Sequence, residues 1–371
     1  MRLKFVVMVW CLLFGLACSS GTVGTTQDAG GDAQEDAGGQ DAGQDAGQDA
    51  GQDAGQDAGQ DAGQDAGGDA GGDQAQSDFS CAQPDPDWLL CEDFEGGAGD
   101  FDAWRQTTDF ITGPGWDDRG RVTLSEAPVR SGQWALSMPA AASADHQGGG
   151  ADWRACDGAQ ESNCSMRSFD QLYFRVWVRF APDHRYVHHF LNIGGSQPDD
   201  YWYHGAAGCL PNGEMSMGTT VDHRTDSHDG FFYTYTPDMS CDTACERYAD
   251  VEAICAACAE KGLPTCDEQL QCCWGNSYQP DPPVAFPLNR WFCFEMTMRA
   301  NTPDLHDGYM AYWVDGELIH EESSMFWRTS PTLALNRVRL QHYITSSDAE
   351  GHSNQVWFDD VVVSTQPVGC D

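Results

Sequence analysis

Apolar and polar side chains alternate one by one over several short stretches in the second half of this 371-residue chain. In Gln171–Phe180, Leu172, Phe174, Val176, Val178 and Phe180 share one face, and Tyr173, Arg175, Trp177 and Arg179 share the other. A period of two is the signature of a strand with one buried face. Phe292–Arg299, residues 309–314, Arg337–Ile344 and Val356–Ser364 follow the same rule. Asp315-Gly316 supplies a two-residue hairpin turn, and residues 317–321 form the expected return strand. Short strands separated by Gly, Pro and Asn predict two packed sheets rather than a helical fold. One stretch departs from this. Residues 242–261 are rich in Ala and Glu, with Thr243 as an N-cap and Gly262 and Pro264 as a stop. They predict a short helix within an insertion spanning about 237–287.

The beginning of the chain has no such pattern. Arg2 and Lys4 precede an apolar run from Phe5 to Leu16. That run is shorter than the roughly 20 residues a membrane span needs. It ends in Gly15-Leu16-Ala17-Cys18, which resembles a bacterial lipoprotein signal in which the Cys takes lipid and becomes the mature N-terminus. An ordinary secretory signal is the alternative, and export follows from both. Residues 19–78 are built on the unit Gln-Asp-Ala-Gly, nearly unbroken over 40–67, with no aromatic residue and no β-branched residue after Thr26. Such a tract cannot bury enough apolar surface to offset chain entropy, and its regularly spaced like charges extend it. It reads as a tether. A calcium-binding repeat would need apolar positions to form a coil, and none larger than Ala is present. The domain organisation is therefore 1–18 signal, 19–78 tether and 79–371 folded domain, expected as a monomer.

Charge and cysteines sharpen this. The net charge is −39, with 58 acidic against 19 basic residues, which excludes a nucleic-acid partner because phosphate contacts need a basic surface. Of the 16 cysteines, Cys11 leaves with the signal and Cys18 carries the lipid. The other 14 are an even number in an exported protein, so disulfides are expected. Seven fall between Cys241 and Cys273, which requires one partner outside, Cys209 or Cys293. Cys156 and Cys164 are expected to close a local loop, and Cys81 or Cys91 to join Cys370. Cys255-x-x-Cys258 has zinc-ligand spacing, but no matching second pair follows.

The order of motifs is similar to that of a known family. Phe174 to Gly195 reads FRVWVRFAPDHRYVHHFLNIGG. It is followed by Trp291, by Arg299-Ala300-Asn301-Thr302-Pro303, by Asp307-Gly308-Tyr309, by Trp313-Val314-Asp315-Gly316 and by Phe358-Asp359-Asp360-Val361-Val362-Val363. This resembles the concanavalin-A-like jelly rolls of polysaccharide lyases, especially the alginate and glucuronan lyases of families 14 and 20. The resemblance covers roughly 169–364, interrupted by 237–287. It implies an all-β jelly-roll sandwich with a disulfide-rich, partly helical insertion, and a concave sheet that cradles a polysaccharide. A lyase must neutralise a uronate carboxylate, take the proton at C5 and protonate the leaving oxygen. In the family-14 pattern a Lys, an Arg and a Tyr-x-Tyr strand appear in turn. Here Phe190 stands for the Lys, the Arg has no counterpart near 216–221, and Tyr233-Thr234-Tyr235 matches the third element.

These readings give a set of candidate residues. Tyr233, Tyr235, His189 and Arg339 are the expected catalytic groups. Gln341, Tyr343, His188, His204 and Trp202 are expected to contact substrate, since Arg339, Gln341 and Tyr343 share a face if Val338 and Leu340 face the core. Aromatic sugar-stacking without catalysis is the alternative for the same residues. No cofactor is required by this chemistry. A structural calcium ion is expected where Asp93 and Glu95 of the first strand meet Asp359 and Asp360 of the last. Contact with a membrane is expected through the Cys18 lipid alone.

Overall fold

The computed structural model of the protein describes residues 79–111, 122–139, 147–156, 165–200, 207–241, 251–263, 273–344 and 354–370. Cys18, the repeat tract, Cys164, Trp202, His204 and Thr243 lie outside the described residues.

Two antiparallel sheets carry the described fold. The first runs, in spatial order, β13 (Glu317–Met325), β12 (Gly308–Val314), β11 (Phe292–Arg299), β6 (Gln171–Phe180), β15 (Val356–Ser364), β4 (Ala135–Met138) and β3 (Thr123–Ser125). Strand β1 (Trp88–Glu92) also pairs with β15. The second runs β10 (Asn276–Tyr278), β9 (Gly230–Tyr235), β8 (Ser216–His223), β7 (Val187–Ser196), β14 (Arg337–Ile344), β5 (Gln147–Arg154) and β2 (Phe110–Ile111). Neighbours such as β6 and β11, or β14 and β5, are far apart in sequence, the jelly-roll form of sandwich anticipated above.

The alternating stretches form because one face can be buried. Leu172, Phe174, Val176, Val178 and Phe180 are fully enclosed, and meet Phe190, Leu191, Ile193, Val338 and Leu340 from the second sheet. Each such side chain stabilises the fold by about 1.5–3 kcal/mol. Strands β6, β11, β14 and β15 have the expected limits. Strand β12 starts one residue earlier than expected and β13 continues to Met325. Asp315 and Gly316 both have positive φ, 51° and 81°, as a type I′ hairpin turn requires. Helix α2 (Val251–Glu260) ends as its sequence predicts, with Gly262 at φ 66° and the Leu263 amide donating to the Cys258 carbonyl at 2.9 Å.

The outer face of the first sheet is not solvated along its middle. Arg175, Glu295, Asp359 and Asp360 are all buried there. Segments from both ends of the described domain cover them: the Arg175 guanidinium lies 4.8 Å from the Phe79 ring, and Glu295 accepts the Val368 and Gly369 amides at 2.8 and 3.0 Å.

The disulfides correct one expectation. Cys370 bonds to Cys293, and Cys81 bonds to Cys91, so neither of the latter reaches the C-terminus. Cys81 lies in the turns before β1 and Cys91 within β1, ten positions later, so the pair closes locally. The insertion does take its outside partner from Cys209, through Cys209–Cys258, and Cys241 bonds to Cys273. Cys255 and Cys156 are also disulfide-bonded, so the Cys255-x-x-Cys258 pair carries no thiolates for zinc.

Candidate functional site

The second sheet presents one face to the core and the other to a groove. Cross-strand register places Asp152, Arg339, Asn192, Thr220, Tyr233 and Ser277 in one row across β5, β14, β7, β8, β9 and β10. The adjacent row reads Arg154, Arg337, Gly194, Gly218 and Tyr235. The two glycines leave the floor bare between Arg337 and Tyr235. A Cβ on Gly194 would stand 2.5 Å from the Met217 carbonyl oxygen, so the sheet itself excludes a side chain there. A cavity of about 230 Å³ opens over this floor, lined among others by His189, Asn192, Tyr233, Tyr235, Arg339 and Gln341.

One wall of the cavity comes from the insertion. Cys209 and Leu263 line it, and the Cys209–Cys258 bond ties α2 to the segment entering β8. The cysteine-rich excursion is thus part of the groove rather than a separate feature.

Arginines gather around one acid in the groove floor. Asp152 is buried, and receives Arg339 through both carboxylate oxygens and Arg154 Nη2 at 3.1 Å. Arg337 is buried beside them. Burial, and then the neighbouring Arg339 and Arg154, press its pKa down to about 9 against the pull of Asp152. Three guanidiniums thus gather around the Asp152 carboxylate, and Arg337 and Arg339 line the cavity.

Tyr233 and Tyr235 share the groove face, two apart on β9, with their hydroxyls 3.3 Å apart. Burial and the Tyr235 neighbour push the Tyr233 hydroxyl well above its ordinary pKa, so it stays protonated and can donate. Gly275 packs against the Tyr233 ring so closely that a Cβ would meet it at 2.5 Å.

His188 and His189 stand over Asp222. Their Nδ1 atoms lie 3.4 Å from Oδ2 and Oδ1 of that carboxylate respectively. The imidazoles stack with centroids 4.0 Å apart, and the Tyr233 and Tyr343 rings flank them at 5.3–6.0 Å. Asp222 is buried, and burial pushes its carboxyl up to about 8 against the opposing effect of His188 and the Thr220 hydroxyl.

The structure therefore brings together seven of the residues expected in the groove. Tyr233, Tyr235, His189, Arg339 and Gln341 line the cavity, and His188 and Tyr343 adjoin it through the ring stack. Sequence reasoning missed Asp222, Asp152, Arg154, Arg337 and Asn192. The period of β8 could have found Asp222, since Ser216, Gly218, Thr220 and Asp222 fall on one face. The four acids expected around calcium are not gathered as a ligand group. Asp93 accepts the Cys81 amide at 2.9 Å, Glu95 the Gln133 and Trp134 amides at 2.7 and 2.9 Å, and Asp359 the Arg130 amide at 2.9 Å, while Asp360 takes the Ser131 hydroxyl. Among the described residues, the group of three ligand-type side chains with atoms within 4.8 Å of one another is His188, His189 and Asp222.

No family model and no curated protein matches the sequence. Solved structures do resemble the fold. The alginate lyase Aly36B is 12% identical with a TM-score of 0.48, covering 76% of this chain and 98% of that one. An endo-β-1,4-glucuronan lyase from the fungus Trichoderma reesei is 15% identical with a TM-score of 0.43, covering 75% and 96%. A marine family-14 alginate lyase from Aplysia kurodai is 16% identical with a TM-score of 0.43, covering 66% and 87%. The chemistry of the groove rests on its own side chains.

Proposed function

We propose that this protein binds an acidic polysaccharide in the groove and cleaves it by β-elimination next to a uronate carboxylate. The observation that carries this reading is the convergence of Arg337 and Arg339 with His189, Tyr233 and Tyr235 on one cavity. Arg337, Arg339, Asn192 and Gln341 would face the carboxylate. His189 or Tyr235 would take the proton from C5. The C5–H electron pair then forms the C4–C5 double bond, the C4–oxygen bond breaks, and the protonated Tyr233 hydroxyl gives its proton to the leaving oxygen. In this reading the domain is exported and held by lipid on Cys18, with the repeat as its leash.

A second reading, glycan binding without cleavage, draws on the Asp152–Arg339 pair. That carboxylate already engages the guanidinium that would otherwise meet the substrate. One experiment separates the readings. Purified protein is mixed with a panel of acidic and neutral polysaccharides, and binding is recorded together with the ultraviolet absorbance of unsaturated products. Binding confined to polyuronates with rising absorbance supports the lyase, and binding without it supports the platform. Equal affinity for neutral chains would overturn the assignment of the arginines.

A further inference from the structure

Consecutive residues of a strand point to opposite faces of a sheet, yet His188 and His189 stand on the same face. A bulge makes this possible. Val187 pairs with His223 and Leu191 with Val221, so residues 188–190 of β7 lie opposite Asp222 alone. Bulges that re-aim side chains concentrate beside functional sites. Here the result is two stacked imidazoles, each turning Nδ1 toward a different oxygen of one buried carboxylate.

Both Nδ1–oxygen separations are 3.4 Å. A good N–H···O hydrogen bond centres on about 2.9–3.0 Å. Two ligands held at about 2.0–2.1 Å by one tetrahedral ion stand roughly 3.3–3.4 Å apart. Asp222 is 1% exposed, and its Oδ2 takes no hydrogen bond among the described residues. A buried carboxylate oxygen left in that state is costly unless a cation meets it.

We propose that His188, His189 and Asp222 form a binding site for a divalent transition-metal ion of the zinc class. Two imidazole nitrogens select such an ion over calcium or magnesium, which take oxygen ligands. Three protein ligands leave a fourth position open, the pattern of zinc sites that act on a substrate rather than brace a fold. His189 and Tyr233 line the groove, and the Tyr343 ring stacks on His189, so an ion held here would adjoin the groove. Its use rests on the acidic-polysaccharide reading: the ion would polarise the uronate carboxylate as a Lewis acid. A metal on Nδ1 leaves the other ring nitrogen of His189 protonated, so Tyr235 becomes the base.

The test is zinc binding by the intact protein after removal of metal with a chelator. Calorimetric titration with Zn²⁺, and the visible spectrum after loading with Co²⁺, are the readouts. One equivalent per chain with an intense tetrahedral cobalt spectrum is expected. Affinity should fall at least tenfold in His188→Ala, His189→Ala and Asp222→Asn, and hold in His306→Ala, whose side chain pairs with Asp238 elsewhere. Folding of each variant is checked by melting in metal-free buffer. If a variant does not fold, the wild-type cobalt spectrum decides: octahedral or absent bands overturn the site. Unchanged zinc affinity in the three folded variants overturns it too. Zinc bound without affinity for polyuronate leaves the metal site standing and removes the polysaccharide reading. Polyuronate bound and cleaved equally after chelation removes the catalytic use of the ion.

Discussion

The Tyr312 hydroxyl donates a 3.0 Å hydrogen bond to the carbonyl of Gly230, joining β12 of the first sheet to β9 of the second through the core. Both partners are buried, so water cannot replace the bond. Tyr312→Phe keeps the ring and removes only the donor. It should lower the free energy of unfolding by about 1–2 kcal/mol, read as a shift in urea midpoint at constant slope. Groove binding should survive, because Tyr312 faces away from the groove. A midpoint equal to wild type would show that the Gly230 carbonyl is satisfied without it.

Tyr233 separates catalysis from adhesion. In a lyase, Tyr233→Phe should abolish turnover while polysaccharide binding persists, since only the hydroxyl moves the proton. On a binding platform the same change should nearly preserve affinity, and Tyr233→Ala should cost about 1 kcal/mol or more. Normal binding and turnover in both the Ala variants, Tyr233→Ala and Tyr235→Ala, would move the site away from this face.

Acid should weaken the fold through His184. Its ring links two others: Nδ1 lies 3.2 Å from His223 Nε2, and Nε2 lies 3.2 Å from His342 Nε2. His223 Nδ1 faces the Arg224 carbonyl at 3.1 Å and so must donate there. That makes His223 Nε2 an acceptor, His184 Nδ1 a donor and His184 Nε2 an acceptor, a consistent chain only while His184 is neutral. Burial, followed by His223, His342 and His228, holds its pKa well below 6.5. The unfolded chain takes up this proton as pH falls through about 6.5 and the folded chain does not, so stability present above that pH is lost below it. Asp359 and Asp360, whose pKa values burial raises, pull in the opposite direction. The contrast between wild type and His184→Gln is therefore the readout. Urea midpoints between pH 7.5 and 5 should fall more steeply in wild type, by up to about 1.4 kcal/mol per pH unit. Parallel profiles would contradict this.

Cys18 carries a separate expectation. A Cys18→Ala variant should lose its lipid and leave the membrane fraction, measured by fractionation and mass spectrometry of the mature N-terminus. Unchanged partitioning would remove the anchor from the account.

Strands whose two faces differ in chemistry were legible from sequence. In β6, and in β14 apart from His342, every second residue is apolar, so Val338 and Leu340 alone point Arg339 and Gln341 into the groove. Strand β7 breaks that rule: its bulge puts His188 and His189 side by side, and Phe190 and Leu191 both in the core. Strand β5 carries three consecutive glycines, so its alternation is confined to Ala151 and Trp153 against Asp152 and Arg154, too short a run to mark them. The pairing of Cys293 with Cys370 depends on where the C-terminal segment crosses β11, and no local pattern records that.

Phe79, the first described residue, packs against Arg175 on the outer face of the first sheet, and Cys370 is bonded to Cys293 on that sheet. The groove belongs to the opposite side of the sandwich. Both ends of the described domain therefore lie on the sheet that does not carry the groove. A polymer laid in the groove would run over β14, β7, β8 and β9 without crossing residue 79 or residue 370.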